Sequence, residues 1–298
     1  MRDFEEAVYC ETVAKENLLE QLADIRDLPT LPTVFMRIMR LMQSKETSIR
    51  EISQVVEMDQ SIAMKILRLI NSSFYGLSRS VYSVQQAIVL LGANTLKNIL
   101  ITASVFQALS RRSREAGLNR EAFWKHAMDC GMIARYLDDK INSGREEEGF
   151  ICGIIHDIGK VVLDQYFHDK LLAVLSEARK EGISFYQAER ELLGVSHAEI
   201  GSKLADLWYL PDNLVEVIAQ HHELRPDGEY ARQAALIQIS DMLAHRFQER
   251  KGRADPIPEM DPLCWHLLDL DPGQLDAWND DLKAELEKAD ELLLLMLE

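Results

Sequence analysis

The sequence has few cysteines, and none of them form a pair at redox or metal-binding spacing. The four cysteines lie far apart and no C-x-x-C pair occurs. A disulfide framework is therefore not expected, and a thiolate metal site is disfavoured. The pattern predicts reduced thiols in the core of a cytoplasmic protein. These residues are Cys10, Cys130, Cys152 and Cys264.

Long apolar runs are also absent. No run approaches the roughly 18 residues that a membrane-spanning helix needs. The N-terminal stretch, MRDFEEAVYCETVAKENLLE, carries acidic residues where a signal peptide needs a basic start followed by an apolar segment. We therefore expect a cytoplasmic protein without a membrane partner.

Positive charge is scarce: 33 basic residues stand against 49 acidic ones, for a formal net charge of -16. Such a surface repels a phosphate backbone, so a nucleic-acid partner is disfavoured. A helix-turn-helix could be placed at residues 51–76, where two short helices meet at Met58 and Asp59. Tandem apolar helices are more simply explained by core packing, and only four basic residues lie in and around this region: Arg50, Lys65, Arg68 and Arg79.

The alternating apolar pattern of a β-strand is missing, and helical periodicity dominates, so the predicted fold is all-α. With 298 residues, of which 47% are hydrophobic, the chain can build a sizeable core. Pro29 and Pro32 break the first helical pattern, and the charged segment 111–119 separates two helical lobes. We predict a leading helix at 1–27, a first lobe at 28–110, a second lobe at 120–250, and a linker with an acidic C-terminal helix at 251–298.

The C-terminal helix carries an apolar stripe along an acidic segment, from Leu275 to Met296. Such a stripe either docks on the rest of the chain or forms a contact with a partner helix. A homodimer through this helix is therefore one open prediction.

One dipeptide, His156–Asp157, lies inside the apolar stretch GFICGIIHDIGK at 149–160. Isoleucines and valines recur around it at helical spacing, which predicts a buried face. A buried carboxylate needs a partner, and a bound cation would also explain the neighbouring histidine. The alternative is that the two side chains bond to each other or to the backbone.

Further histidines and an aspartate fall on apolar helix faces. His126 shares the inward stripe of its helix. His197 directly follows Ser196, which forms a capping-box pattern with Glu199. Each residue alone could be a satisfied polar group of the core, but their number favours a shared site. The predicted metal ligands are His126, His156, Asp157, His197, His221, His222 and Asp241.

This ligand set divides into two groups. One ion would be held by His126, His156, Asp157 and Asp241. Asp157 would bridge to a second ion, held by the remaining histidines. Imidazole and carboxylate ligands suit divalent transition metals, so we expect one or two ions, iron or manganese first and zinc or nickel as alternatives.

Two such ions can generate hydroxide near neutral pH and stabilise an in-line phosphoryl displacement. Asp157 would then be a catalytic residue, and Lys160, one turn after His156, could neutralise a phosphate oxygen. Lys160 could equally be a solvated lysine at the end of its helix. Three other histidines lack such support and are predicted to be surface or supporting groups: His168, His245 and His266.

His126, the HDIGK motif at 156–160 and Asp241 together resemble the HD superfamily of metal-dependent phosphohydrolases. More narrowly, residues 28–247 are similar to the HDOD family of bacterial proteins. The resemblance implies an HD-superfamily helical domain preceded by a smaller helical lobe, both in one HDOD unit, with a signalling or regulatory role. The segments that carry it are LPTLPTVFMRIMRLM, EISQVVEMDQSIAMKILRLINSSFYG, VQQAIVLLGANTLKNILI, GIIHDIGK and IQISDMLA.

The second histidine group resembles the additional ligands of HD-GYP cyclic-dinucleotide phosphodiesterases. His197 is followed by Ala-Glu-Ile-Gly, and His221 and His222 are adjacent. The loop that names that group is absent, and Ala122 stands where its trinuclear members carry a glutamate. The resemblance therefore implies two-metal binding, whereas these two departures from the pattern argue against a third metal and against hydrolysis of cyclic-di-GMP.

Two functions follow as expectations. The first is a regulatory HDOD protein with a mono- or dinuclear metal site, acting through a protein partner or a phosphate-containing small molecule such as a nucleotide. The alternative is an active metal-dependent phosphohydrolase or phosphodiesterase that cleaves a phosphate ester or a cyclic nucleotide.

Overall fold

The structure is a computed structural model that describes residues 18–25, 28–43, 48–72, 75–109, 117–249, 256 and 259–297. Within these ranges every regular element is a helix and no strand occurs, which confirms the all-α prediction. The first lobe contains α1 (18–24), α2 (Thr33–Gln43), α3 (Ile49–Glu57), α4 (Gln60–Ile70), α5 (Val84–Leu91) and α6 (Ala93–Leu109).

The second lobe begins with a long helix and continues as a series of shorter ones. Its elements are α7 (Arg120–Lys140), α8 (Glu146–Ile155), α9 (Ile158–Tyr166), α10 (His168–Glu181), α11 (Phe185–Leu193), α12 (His197–Leu207), α13 (Asp212–Gln220) and α14 (Ala231–Glu249). The C-terminal part adds α15 (Leu263–Leu268), α16 (Gln274–Ala277) and α17 (Asn279–Leu297).

Side-chain caps fix several of the helix starts. Ser48 and Glu51 form the predicted capping box of α3, and Ser196 and Glu199 form that of α12. In each box the serine hydroxyl accepts from the third backbone N–H while the glutamate accepts from the serine backbone. The box of α12 places His197 at the first position of its helix.

The predicted division into domains falls partly outside the described residues. The residues outside the described ranges include 1–17, most of the charged segment at 111–119, and most of the linker at 251–258. Of the predicted leading helix, 18–24 is helical, and Leu18 and Leu22 are buried in the core. The boundaries themselves therefore stay predictions.

One hydrophobic cluster draws residues from every helix, from Leu18 in α1 to Met296 in α17. α7 forms its centre, because it packs against α8, α14 and α17. The three described cysteines are free and buried, as predicted.

The apolar stripe of α17 is buried against the chain itself. Leu282, Leu286, Ala289, Leu293 and Met296 are nearly inaccessible, and the helix packs on α7 and α4. The stripe thus docks on the chain, one of the two predicted outcomes, and a homodimer through it stays a prediction. The part of the chain that the structure describes contains no helix of the length and apolarity needed to span a bilayer.

Candidate metal centre

The His156–Asp157 dipeptide lies at a break between two helices, and not within one helix as predicted. α8 ends at Ile155, His156 is its C-cap, and α9 begins at Ile158 after Asp157. Adjacent residues of a continuous helix diverge by about 100° around its axis. The break removes this constraint, so both side chains reach the same centre.

Other helix ends supply most of the remaining histidines. His197 is the first residue of α12, and His221 is the C-cap of α13, directly followed by His222. His126 and Asp241 come from the interiors of α7 and α14. All of the predicted ligands are buried except His222, which is half-buried.

A close approach of two helices sets the distance between Asp157 and His197. Gly159 in α9 lies directly on the His197 carbonyl, and Gly201 faces it from α12. A methyl group on Gly159 would overlap that carbonyl. The absence of a side chain at Gly159 therefore lets α12 bring His197 to the Asp157 carboxylate.

The two carboxylate oxygens of Asp157 face two different histidine groups. Oδ1 lies 2.9 Å from Nε2 of His197 and 3.7 Å from Nε2 of His221. Oδ2 lies 3.4 Å from Nε2 of His156 and 3.8 Å from Nε2 of His126. This arrangement is the one that a bridging carboxylate between two cations requires.

Asp241 completes the first group and adds a histidine that the sequence analysis had set aside. Its Oδ1 lies 2.8 Å from Nε2 of His126, 3.7 Å from that of His156 and 3.4 Å from that of His245. His245 was predicted to be a surface or supporting group, yet its imidazole borders the centre. The available signal was its position four residues after Asp241, on the same face of α14.

The hydrogen bonds on the outer side of the imidazoles orient their inner nitrogens. Nδ1 of His156 lies 2.7 Å from the Gly153 carbonyl oxygen, and Nδ1 of His221 lies 2.7 Å from that of Ile218. A carbonyl only accepts, so each Nδ1 carries the proton, and in the neutral imidazole the lone pair of Nε2 points inward.

His197 is oriented in the same way by a residue that the sequence analysis missed. Oε2 of Glu189 lies 2.5 Å from Nδ1 of His197 and accepts from its backbone N–H at 3.0 Å. Glu189 is fully buried. The only indication in the sequence is that Glu189 lies on the same face of α11 as Phe185 and Leu193.

The inner nitrogens of the second group crowd together. Nε2 of His197 lies 3.2 Å from that of His221 and 3.0 Å from that of His222. Lone pairs facing one another at this distance repel unless a cation or a proton lies between them. Burial alone would lower the pKa of His197, but Glu189 and Asp157 raise it, so a proton on His197 can lie between these nitrogens, and a metal ion could take its place.

Buried polar atoms without a partner favour a bound metal ion at the centre. Nε2 of His126 and Oδ1 of Asp241 lie 2.8 Å apart, but the angles between them do not suit a hydrogen bond. Buried polar atoms normally have a partner, and an ion would supply one here. Four atoms of the centre have no hydrogen-bond partner among the described residues: Nε2 of His126, Nε2 of His156, Oδ1 of Asp157 and Oδ1 of Asp241.

Three overlapping groups of side chains have all their ligand atoms within 4.8 Å of one another, which is close enough to hold a metal ion. They are Asp157, His197, His221 and His222; His126, His156 and Asp157; and His126, Asp241 and His245. The structure thus brings together all seven predicted ligands. Their metal-binding role stays a prediction.

Charge at the centre favours anionic carboxylates, but it divides the histidines. Burial alone would lower the pKa of His156 and of His197, yet Asp157 raises that of His156 well above its usual value and Glu189 raises that of His197. Burial alone would raise the pKa of Asp157, but His156 and Lys160 outweigh it and hold this pKa well below its usual value. Burial lowers the pKa of His221 to about 4 and that of His222 well below the imidazole range. At neutral pH these two rings therefore offer lone pairs.

Lys160 lies at the centre and not on the solvated surface. Its Nζ lies 2.6 Å from Oδ2 of Asp157 and 5.5 Å from the centroid of the Phe185 ring. The predicted catalytic role of Lys160 is untested, as is that of Asp157. His168, by contrast, pairs with Asp164 at 3.4 Å.

The model of the HDOD domain matches residues 28–224 of the sequence. The chain belongs to the HDOD family. Asp241 and His245 lie beyond the matched range. The fold recurs in the crystal structure of an HDOD domain protein of unknown function from Geobacter sulfurreducens, with a TM-score of 0.73, 23% identity, and coverage of 95% of this chain and 97% of that one.

Two further similarities extend this comparison. A protein from Shewanella amazonensis, described as a candidate phosphohydrolase, has the same fold with a TM-score of 0.71 at 23% identity, covering 93% of this chain and 97% of that one. An uncharacterized protein of Treponema pallidum is 25% identical over 215 residues, or 72% of this HDOD chain. The HDOD chain spans only 41% of that relative.

Proposed function

We propose that this HDOD protein binds two divalent transition-metal ions and uses the dinuclear centre to bind a phosphate-bearing signal molecule. The observation that carries the proposal is Asp157, whose two oxygens face two separate histidine groups. Iron or manganese suits this mixture of imidazole and carboxylate ligands, and zinc or nickel is the alternative. One ion would take His126, His156, Asp157 and Asp241, and the other would take Asp157, His197, His221 and His222.

Access to the centre is restricted, and of the predicted ligands only His222 is half-buried. His156, His197 and His221 are completely buried. The side chains of Lys160 and His245 are 17% and 18% exposed. A ligand would thus approach past Lys160, whose ammonium can pair with a phosphate oxygen.

A regulatory role follows from this restricted access and from the family's expected use in signalling. A ligand bound at a mostly buried centre is released slowly, which suits a signal molecule. A protein partner would then bind the helical surface of the ligand-bound protein, and this partner stays a prediction.

A second candidate is hydrolysis of a phosphate ester or a cyclic nucleotide. It is favoured by the complete two-group donor set and by the phosphohydrolase description of the Shewanella amazonensis protein with this fold. The metals, when bound, would supply Lewis acidity and a more acidic water. The chain would contribute the bridging carboxylate of Asp157 and the ammonium of Lys160, which can neutralise charge on a phosphate oxygen.

The test is phosphate binding and turnover by protein loaded with manganese or iron. We expect inorganic phosphate to bind only to the loaded protein, and to bind less tightly in Lys160→Met, with metal content unchanged. Lys170→Met, on the exposed surface, is the matched control. Phosphate binding that is independent of metal would contradict the proposal.

Turnover separates the two candidates. Cleavage of p-nitrophenyl phosphate, bis-p-nitrophenyl phosphate or a cyclic dinucleotide, lost in His156→Ala and kept in His168→Ala, would establish the hydrolase. Phosphate binding without cleavage of any of these esters supports the regulatory function.

A further inference from the structure

Gln238 connects the second histidine group to the C-terminal part of the chain. It lies in α14, one turn before Asp241 on the same face, and is only 3% exposed. Its Nε2 donates to the carbonyl oxygen of His221 at 3.0 Å. Its Oε1 accepts from the backbone N–H of Asp261 at 2.8 Å and from the thiol of Cys264 at 2.9 Å.

The partners of Gln238 fix which way its amide points. A backbone N–H only donates and a backbone carbonyl only accepts, so Oε1 faces Asp261 and Nε2 faces His221. The amide is thus bonded on both sides inside the core, which holds it in a single orientation. Gln238 is a rigid link between the carbonyl of His221 and the segment 261–264.

The bonded carbonyl belongs to the peptide that joins two predicted ligands. His221 is the C-cap of α13, and His222 follows it directly. The last carbonyls of a helix have no partner within that helix, so their orientation depends on groups from outside it. Because a peptide unit is planar, a hydrogen bond to the His221 carbonyl also fixes the direction in which the chain continues to His222. The bond from Gln238 therefore acts on the placement of both imidazoles.

Both histidine groups depend on the same face of α14. Oδ1 of Asp241 lies 2.8 Å from Nε2 of His126 in the first group. Gln238, one turn earlier, bonds to the backbone of the second group. The helix thus supplies a ligand atom to one group and a hydrogen-bond donor that orients the other.

We propose that Gln238 is a positioning residue for the second metal ion. It sets the peptide between His221 and His222 so that both imidazoles reach the ion that Asp157 and His197 would also hold. The inference rests on the proposed dinuclear centre. It adds that residues beyond the range 28–224 matched by the HDOD model position the second ion, namely Gln238 and, through it, Asp261 and Cys264.

Gln238→Met tests the inference, with Gln233→Met as the matched control. Methionine keeps the length of the side chain but cannot donate to the His221 carbonyl. Gln233 lies in the same helix, is 9% exposed, and donates to Oε2 of Glu148 at 2.8 Å, away from the histidines. Both changes therefore remove a buried amide from α14, but only one removes the bond to the second group.

Gln238→Asn is a milder second variant. It keeps an amide, but it is one methylene shorter and cannot reach His221 and the segment 261–264 together. It should act in the same direction as Gln238→Met, by a smaller factor. Thermal unfolding of the metal-free variants checks that each one is folded.

Manganese is titrated into the full-length, metal-free protein in two backgrounds that separate the ions. In His126→Ala only the second group is complete, and there Gln238→Met should weaken manganese binding about 10- to 100-fold, as is typical for groups that orient metal ligands. In His222→Ala only the first group is complete, and Gln238→Met should leave the affinity unchanged. Gln233→Met should change neither affinity.

A second measurement needs no metal. In the metal-free protein, the NMR signals of the imidazole nitrogens of His221 and His222 should shift in Gln238→Met and in Gln238→Asn, but not in Gln233→Met. A general loss of stability would not shift these signals selectively, whereas a displaced peptide between the two rings would.

Two results would overturn the inference. One is manganese affinity in the His126→Ala background that Gln238→Met leaves unchanged. The other is imidazole signals of His221 and His222 that shift no more in Gln238→Met than in Gln233→Met. Absence of manganese binding by the original protein would instead overturn the proposed function, and the imidazole signals would still decide whether Gln238 positions the two rings.

Discussion

Glu189 holds His197 at two points, through the imidazole Nδ1 at 2.5 Å and the backbone nitrogen at 3.0 Å. The carboxylate fixes the tautomer of the ring and directs Nε2 toward Oδ1 of Asp157, 2.9 Å away. An oriented imidazole with a carboxylate behind it is a stronger metal ligand than a free one.

Glu189→Gln should therefore weaken metal binding at the second histidine group. The neutral amide keeps the shape but not the charge, and losses of about 10- to 100-fold in affinity are typical of such changes. Manganese titration should show one site weakened and the other retained. Glu191→Gln, an exposed change on the same helix, is the control. Equal affinity in both variants would contradict this role of Glu189.

Gly159→Ala should destabilise the protein and disturb the centre together. The added methyl group would overlap the His197 carbonyl, so α9 and α12 would have to separate. Overpacking of this kind costs about 1–3 kcal/mol. The free energy of unfolding of the metal-free protein measures it. Gly273→Ala, which meets nothing closer than 3.4 Å, should have a much smaller effect.

Trp208→Phe tests the attachment of the N-terminal segment to the second lobe. The indole Nε1 of Trp208 donates to the carbonyl of Pro29 at 2.6 Å, and both residues are buried. Phenylalanine cannot donate, so that carbonyl would lose its partner at a cost of about 1–3 kcal/mol. Denaturant unfolding should show the loss, whereas Trp265→Phe should show less. Equal stability of the two variants would rule out this attachment.

The candidate ligands could be predicted from the sequence, but the rotation of the helices that brings them together could not. Periodicity placed His126 and Asp241 on inward faces, and the structure confirms that both are buried. His245 was set aside although it lies four residues after Asp241, on the same face of α14. Glu189 was missed because its partner lies in the next helix, and a single glutamate on a short helix gives no pairing signal.

Two other features depend on tertiary packing alone. No proline causes the break between α8 and α9, and the stretch GFICGIIHDIGK has unbroken helical periodicity. A cavity between the two lobes is lined by residues far apart in sequence, from Lys97 to Gln233. Neither could be deduced from the spacing of apolar residues.

The metal content of the protein distinguishes a dinuclear centre bridged by Asp157 from a centre without bound metal. The untagged protein, purified without chelator and loaded with manganese or iron, is analysed for metal per chain beside Asp157→Asn and the exposed control Asp169→Asn. We expect two ions per chain in the original protein and in the control, and less than one in Asp157→Asn. Absence of bound metal after loading, or two ions retained in Asp157→Asn, would contradict this dinuclear centre.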